Sequence, residues 1–146
     1  MKITEMYRHE ESFSPDLYGL GQYLLCEGLR VNWKFKEEYK DVAGWCVDIS
    51  EEIIEGMKRY NLPDDIEYRL IEGWVSYDFY ESCIDRSYDE HSWVEIFYKG
   101  KRIYVVDASG EQFNYCLGYK MPQCYIGIER PKNWSVEEPK NLMLED

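Results

Sequence analysis

The sequence predicts an α+β domain in which N-terminal helices pack on an antiparallel β-sheet. Three observations predict it. Apolar residues recur at helical spacing up to Tyr60, and after Pro63 the period changes to two. The two most β-prone runs, Trp93 to Tyr98 and Arg102 to Val106, then flank Lys99-Gly100-Lys101 as the arms of a hairpin do.

Ser14-Pro15-Asp16 fits a helix start, with Ser14 as N-cap and Pro15 at the first helical position. Leu17, Leu20 and Leu24 follow at helical spacing, and Gly28 is placed to end the run. Val31 to Val42 is charged and aromatic and reads as a short helix or a loop. From Cys46 to Tyr60 a second helix carries Ile49, Ile53, Ile54 and Met57 on one face. Asp48, Glu51, Glu52 and Glu55 fall toward its start, and Lys58 and Arg59 near its end, each the sign the helix dipole favours. Asn61 and Pro63 close it.

Ile66, Tyr68 and Leu70 alternate with Glu67 and Arg69, as in a strand with one wet face. The stretch from Glu72 to Glu90 is aromatic-rich and has no clear period. The hairpin follows it, and Cys124 to Ile128 reads as a further strand. Residues 1–130 thus form a single domain. Residues 131–146, with Glu137, Glu138, Pro139, Glu145 and Asp146, read as an acidic, poorly ordered tail.

Composition narrows the function classes. With 45% hydrophobic and 32% charged residues, the 146-residue chain has a globular balance. Its net charge of −12 repels a phosphate backbone and argues against nucleic acid as a partner. No apolar run approaches the ~20 residues of a membrane span. Met1 to Glu11 lacks the apolar stretch of a signal peptide, so a cytoplasmic location is expected, with export by another route left open. Nothing in the sequence specifies an oligomeric state. The cysteines number five: Cys26, Cys46, Cys83, Cys116 and Cys124. An odd count without an export signal suggests reduced thiols, most of them small buried hydrophobes. None forms a Cys-x-x-Cys pair, and Cys116 and Cys124 lack the spacing and the histidines of a zinc knuckle. No metal or cofactor is expected.

Only two histidines are present, His9 and His91. His9 lies in a polar stretch and reads as a surface residue. His91 begins the first hairpin arm, and Asp107 ends the second. Counted from Gly100, His91 lies nine residues back and Asp107 seven forward, so both fall at the same end of the ribbon. Cross-strand neighbours lie about 5 Å apart, close enough for a carboxylate to hold an imidazole. A bulge or a shifted turn centre can absorb the offset of two. Gly44-Trp45-Cys46 precedes the second helix, which puts the Cys46 sulfur near a helix N-terminus, where the dipole favours thiolate. The three together read as a Cys–His–Asp triad. Cys46 attacks a carbonyl, His91 carries the proton, and Asp107 fixes the ring and stabilises the imidazolium. Each has a plainer reading: Cys46 as a buried apolar residue, His91 as a strand-edge residue facing water, and Asp107 as a turn residue capping its own backbone.

Gly44-Trp45-Cys46, His91-Ser92-Trp93-Val94-Glu95 and Asp107-Ala108-Ser109 resemble, in order and in context, three core blocks of the transglutaminase-like, papain-like superfamily. Those blocks are Gly-x-Cys at a helix start, His-x-Trp-x-Glu on a strand, and Asp-x-Thr or Asp-x-Ser on the next strand. Ala108 departs from the proline the family often has there, and the aromatic insert before His91 is also a departure. The resemblance implies a papain-like core and acyl transfer through a thioester. The activity it suggests is that of a cysteine peptidase, deamidase or transglutaminase acting on an amide of a peptide or protein. Such chemistry needs an oxyanion site. The Cys46 backbone N–H is one expected donor, with a second from Gln22, Asn32 or Trp33. Trp45, Trp93 and Gln112 are expected to line or support the cleft, with Trp93 packed and Glu95 facing solvent or supporting the site. Phe113 either lines the cleft beside Gln112 or packs.

Trp74, Tyr77, Phe79, Tyr80 and Tyr88, among Asp78, Glu81, Asp85 and Asp89, read as core or interface, or as an acidic aromatic cleft wall suited to a neutral or basic peptide. A competing expectation is a non-catalytic acidic module on the same fold that engages a basic protein partner. A third gives the thiols a structural or metal-binding role.

Overall fold

The computed structural model describes residues 19–79 and 87–139. His9, the Ser14-Pro15-Asp16 start, Leu17, Tyr80, Glu81, Cys83, Asp85 and residues 140–146 lie outside them. Two helices, α1 (Leu20–Tyr39) and α2 (Cys46–Met57), come first. Strands β1 (Ile66–Ser76), β2 (Tyr88–Tyr98) and β3 (Lys101–Asp107) follow, then a 3-10 turn (Gly110–Phe113), β4 (Tyr125–Gly127) and β5 (Trp134–Ser135). The strands form one antiparallel sheet in the order β4-β3-β2-β1-β5. The architecture is α+β, helices first. No helix among the described residues is long and apolar enough to cross a membrane.

The first helix does not stop at Gly28. It continues through the stretch read as a short helix or loop and ends at Lys40, whose φ of 69° turns the chain while its N–H bonds the Lys36 carbonyl at 2.7 Å. Gly28 is buried against Cys124 and Ala108, and a side chain there would collide with the Cys124 sulfur. Glycine serves close approach of helix to sheet at this position rather than termination.

α2 buries Ile49, Ile53 and Met57, the face its spacing predicts. With Leu20, Leu24, Val31 and Phe35 of α1 they pack on Val94, Ile96, Tyr104 and Val106 of the hairpin. A second core covers the opposite side: Val75, Trp93, Val105, Phe113, Leu117, Met121 and Trp134. Consequently β2 is buried without interruption from His91 to Ile96. A strand covered on both faces cannot show polar alternation, so His91 and Glu95 enter the interior instead of reaching water.

The hairpin turns at Lys99-Gly100, both with positive φ. Pairing runs Tyr98↔Lys101, then slips by one residue between Ile96 and Phe97, and continues to Val94↔Val106. The unassigned stretch after Glu72 contains the end of β1 and the start of β2, with Ser76 opposite Tyr88. Tyr77 packs in the second core, and Asp78 accepts bonds from the Gly118 N–H at 2.8 Å and Asn133 Nδ2 at 3.0 Å. Tyr77 thus belongs to the packing and not to a cleft wall, while Asp78 stays exposed and ties its turn to the loops at Gly118 and Asn133.

The segment after Pro131 also differs from the expected tail. Val75 pairs with Trp134 and Trp74 with Ser135, and Trp134 is 5% exposed. A single large apolar side chain anchors an otherwise polar segment to the sheet edge.

Candidate active site

Gly44 adopts a φ of 85°, a turn that L side chains resist, and leads into Trp45 as N-cap of α2. The Trp45 carbonyl accepts from the Ile49 N–H at 2.8 Å, so the first-turn N–H groups at Cys46, Val47 and Asp48 have no helical partner. Trp45 stacks on Tyr39 at 4.1 Å between centroids, and Phe35 tilts against both rings. This aromatic knot ties the end of α1 to the start of α2 and fixes where Cys46 emerges, half-buried.

His91 is 2% exposed and pairs across the sheet with Gly73. Its Nε2 lies 2.7 Å from Asp107 Oδ2. The one-residue bulge does not remove the offset of two. Extending the ladder past Val94↔Val106 sets Asp107 opposite Trp93, so His91 and Asp107 are diagonal neighbours bridged by their side chains. Four donors saturate Asp107. His91 Nε2–H and Trp134 Nε1–H, each at 2.7 Å, share Oδ2. The Ser109 N–H at 2.9 Å and the Ser109 hydroxyl at 3.2 Å share Oδ1.

With Nε2 engaged, Nδ1 is the ring atom left for the thiol. It is buried without a hydrogen bond of standard geometry. Nonetheless Cys46 and His91 lie close enough to shift each other's proton affinity. The contact is an approach, not a closed bond. The structure therefore brings Cys46, His91 and Asp107 together.

The electrostatics follow from this placement. Burial works against charge on Asp107, but the His91 charge and the Ser109 and Trp134 donors outweigh it and hold the carboxyl below its usual range. Burial would also lower His91, yet the Asp107 carboxylate, and then Cys46, raise it to about 9. Burial alone would push the Cys46 thiol up. The His91 ring and the Ser92 backbone N–H reverse this and bring it below the ordinary thiol value. Cys116 moves the other way, up to about 11, because burial dominates, and burial raises Cys124 as well. A thiol below its ordinary value beside a ring above its own favours the thiolate–imidazolium form.

The upstream oxyanion candidates are not placed for that role. Asn32 is fully buried, and its Nδ2 donates to the carbonyls of Ala108 at 2.8 Å and Gln123 at 3.1 Å. It clamps α1 to the chain just past Asp107. Trp33 is 55% exposed and gives its indole N–H to Gln123 Oε1 at 2.6 Å. Gln22 is exposed and adjoins Tyr23, which stacks on Tyr60 past the C-terminal end of α2. Cys46 opens the other end of that helix, about 16 Å away for twelve residues. A lone Asn or Gln upstream of a cysteine does not reveal which helix end it will face.

Support residues are clearer. Gln112 Nε2–H holds the Ser109 carbonyl at 3.0 Å. Phe113 meets the His91 ring edge-on at 4.9 Å. Trp93 is fully buried and donates to Glu95 Oε2 at 2.8 Å, and Arg130 grips the same carboxylate at 2.6 and 3.1 Å. Glu95 thus supports the site from within and does not face solvent. Trp134 is the residue that sequence reasoning missed. Its signal was one tryptophan in a tail otherwise read from its charges. Among the described residues no group of three or more His, Cys, Asp and Glu is placed to hold a metal ion.

Comparison of the chain with protein-family models, with curated proteins and with solved structures gave no match.

The clamp reading of Asn32 is testable. Asn32→Ala leaves the buried Ala108 carbonyl and the part-buried Gln123 carbonyl without their donor and is expected to cost about 1–3 kcal/mol in urea unfolding. Unchanged stability in Asn32→Ala would overturn the clamp.

Proposed function

We propose that this protein is a thiol-dependent enzyme on a papain-like, transglutaminase-like core, acting on an amide of a peptide or protein. The observation that carries the reading is the His91 ring, buried with Nε2 on the Asp107 carboxylate, its Nδ1 without a hydrogen-bond partner, and close to a half-buried cysteine at a helix start.

In this reading Cys46 Sγ bonds to the amide carbon, and charge builds on the carbonyl oxygen. The free N–H groups of the first turn of α2, Cys46 foremost, are the donors available to it. The C–N bond then breaks, and His91 Nδ1–H gives its proton to the departing amine, leaving a thioester. Water or an amine next loses a proton to Nδ1 and attacks the thioester, and Sγ leaves as thiolate. Asp107 keeps the ring oriented and its positive charge stabilised through both halves.

Limiting iodoacetamide on the native protein, with the adduct mapped across pH, tests this. Cys46 is expected to be alkylated ahead of exposed Cys26, with a rate already substantial below the ordinary thiol range. Cys26 labelled while Cys46 stays untouched would favour the non-catalytic acidic module.

A further inference from the structure

Among the described residues, β5 covers the outer edge of β1 only at Trp74 and Val75. Ser135 then turns the chain back on itself, its hydroxyl bonding the Glu137 N–H at 3.0 Å and the Glu137 carbonyl at 2.8 Å. Backbone groups alternate in direction along an antiparallel strand. The Ser76 N–H donates to the Asn133 carbonyl at 3.0 Å and Trp74 lies opposite Ser135, so the even-numbered residues of β1 point their N–H and C=O away from β2. The Lys99 N–H donates to the Asp65 carbonyl at 3.4 Å, which sets the odd-numbered residues toward β2, in agreement. Tyr68 and Leu70 therefore present N–H and C=O outward, and no strand or loop among the described residues takes them. Ile66 adds its carbonyl, while its N–H is held by the Pro63 carbonyl at 3.2 Å.

Free edges are commonly guarded by proline, lysine or a bulge. Ile66-Glu67-Tyr68-Arg69-Leu70 has none of these and pairs with β2 without a register shift. Its charges are instead complementary to themselves. Glu67 and Arg69 are both exposed and flank Tyr68 on the same face of the strand. A two-fold axis through Tyr68 sets Glu67 opposite Arg69 of a second copy, and Arg69 opposite its Glu67, at non-hydrogen-bonded positions where side chains come closest. The Arg69 guanidinium is steadied there on the Phe97 ring, 3.8 Å from its centroid. About this axis the two Tyr68 residues bond each other in both directions, and each Leu70 N–H meets the Ile66 carbonyl of the other copy. An axis through Arg69 would instead oppose like charges. We infer that the β1 edges of two copies pair antiparallel about Tyr68 and join two sheets into one symmetric dimer. The net charge of −12 opposes self-association at long range, but physiological salt screens charges beyond about 8 Å and leaves the seam pairs in force. None of this depends on the chemistry at Cys46.

Sedimentation velocity over a series of protein concentrations, in about 0.15 M salt, tests the dimer. The mass should rise from 17.6 kDa toward twice that value. Glu67→Arg and Arg69→Glu, each alone, put like charges at both crossings and should weaken dimerisation about tenfold or more. Mixed in equal amounts, the two variants restore opposite charges at both crossings. They should then associate as the wild type does, which also shows that both are folded. Amide exchange locates the contact: the Tyr68 and Leu70 N–H groups should slow as concentration rises. A monomer at every concentration would overturn the inference, and so would a mixture of the two variants that stays monomeric. A dimer that survives both single variants, or that leaves Tyr68 and Leu70 exchanging as in the monomer, would overturn this seam.

Discussion

Asparagine in place of Asp107 is expected to slow acylation of Cys46 by about 10⁴-fold, the loss seen when the carboxylate of a triad is made neutral. The cause is charge. His91 is buried, and that burial opposes its protonation; the Asp107 carboxylate outweighs it and lifts the ring to about 9. Without the carboxylate, burial prevails, the imidazole is neutral at pH 7, and Cys46 loses the cation that holds its thiol down. Iodoacetamide rates against pH are the direct readout. In the wild type the rate should rise below the usual thiol range, and in Asp107→Asn the rise should move up toward it. Identical profiles would remove Asp107 from the mechanism.

The same substitution changes the pH dependence of stability. His91 has a folded value of about 9 against 6.5 for the free ring. Its contribution is therefore complete below pH 6.5 and is lost as pH rises through about 9. Urea unfolding of the wild type should show stability falling across that window, and Asp107→Asn should lack this fall. The variant also begins less stable. Asparagine offers one acceptor oxygen where Asp107 offers two, so one pair among the His91, Trp134 and Ser109 donors meets an amide NH₂ instead. Each unpaired buried donor costs about 1–3 kcal/mol. Activity must accordingly be read well below the unfolding midpoint.

How far the sequence disclosed this arrangement depended on whether the signal was local. The second helix, the hairpin and the shared end of the ribbon for His91 and Asp107 were legible, because each follows from spacing within a few residues. So was Cys46 at a helix start, which the glycine and tryptophan before it announce. Gly28 was misread because its reason is tertiary: only Cys124, distant in the chain, explains the missing side chain. Asn32 and Trp33 were plausible donors until Gln123 and Ala108, again distant, consumed their N–H groups. Trp134 was hidden by its neighbours' charges. The burial of β2 on both faces erased the alternation that would have shown where His91 and Glu95 point.

Glu95 provides the contrasting case, a buried carboxylate two residues along the sheet face from Trp93 and outside the reacting group. Glu95→Gln is expected to cost about 2–3 kcal/mol in urea unfolding, below the roughly 3–5 kcal/mol of breaking a fully buried ion pair. The lower figure follows from exposure. The Arg130 and Arg102 side chains are 27% and 30% exposed, so water can take up part of what they lose, whereas the Trp93 indole has no such recourse. Arg130 on one side and Trp93 on the other hold Glu95 below the usual carboxylate range against its burial, so its stabilisation should be present near neutrality and lost on acidification. Below unfolding, the pH profile of Cys46 alkylation should nevertheless match the wild type. Trp93 lies 6.0 Å from the His91 ring, and its packing against Val75, Val105 and Trp134 persists without the Glu95 bond. Two interior carboxylates on neighbouring strands would then separate cleanly, Asp107 setting proton affinity at the thiol and Glu95 setting only the stability of the sheet behind it. A profile shifted as far by Glu95→Gln as by Asp107→Asn would show instead that the two act as one network through Trp93.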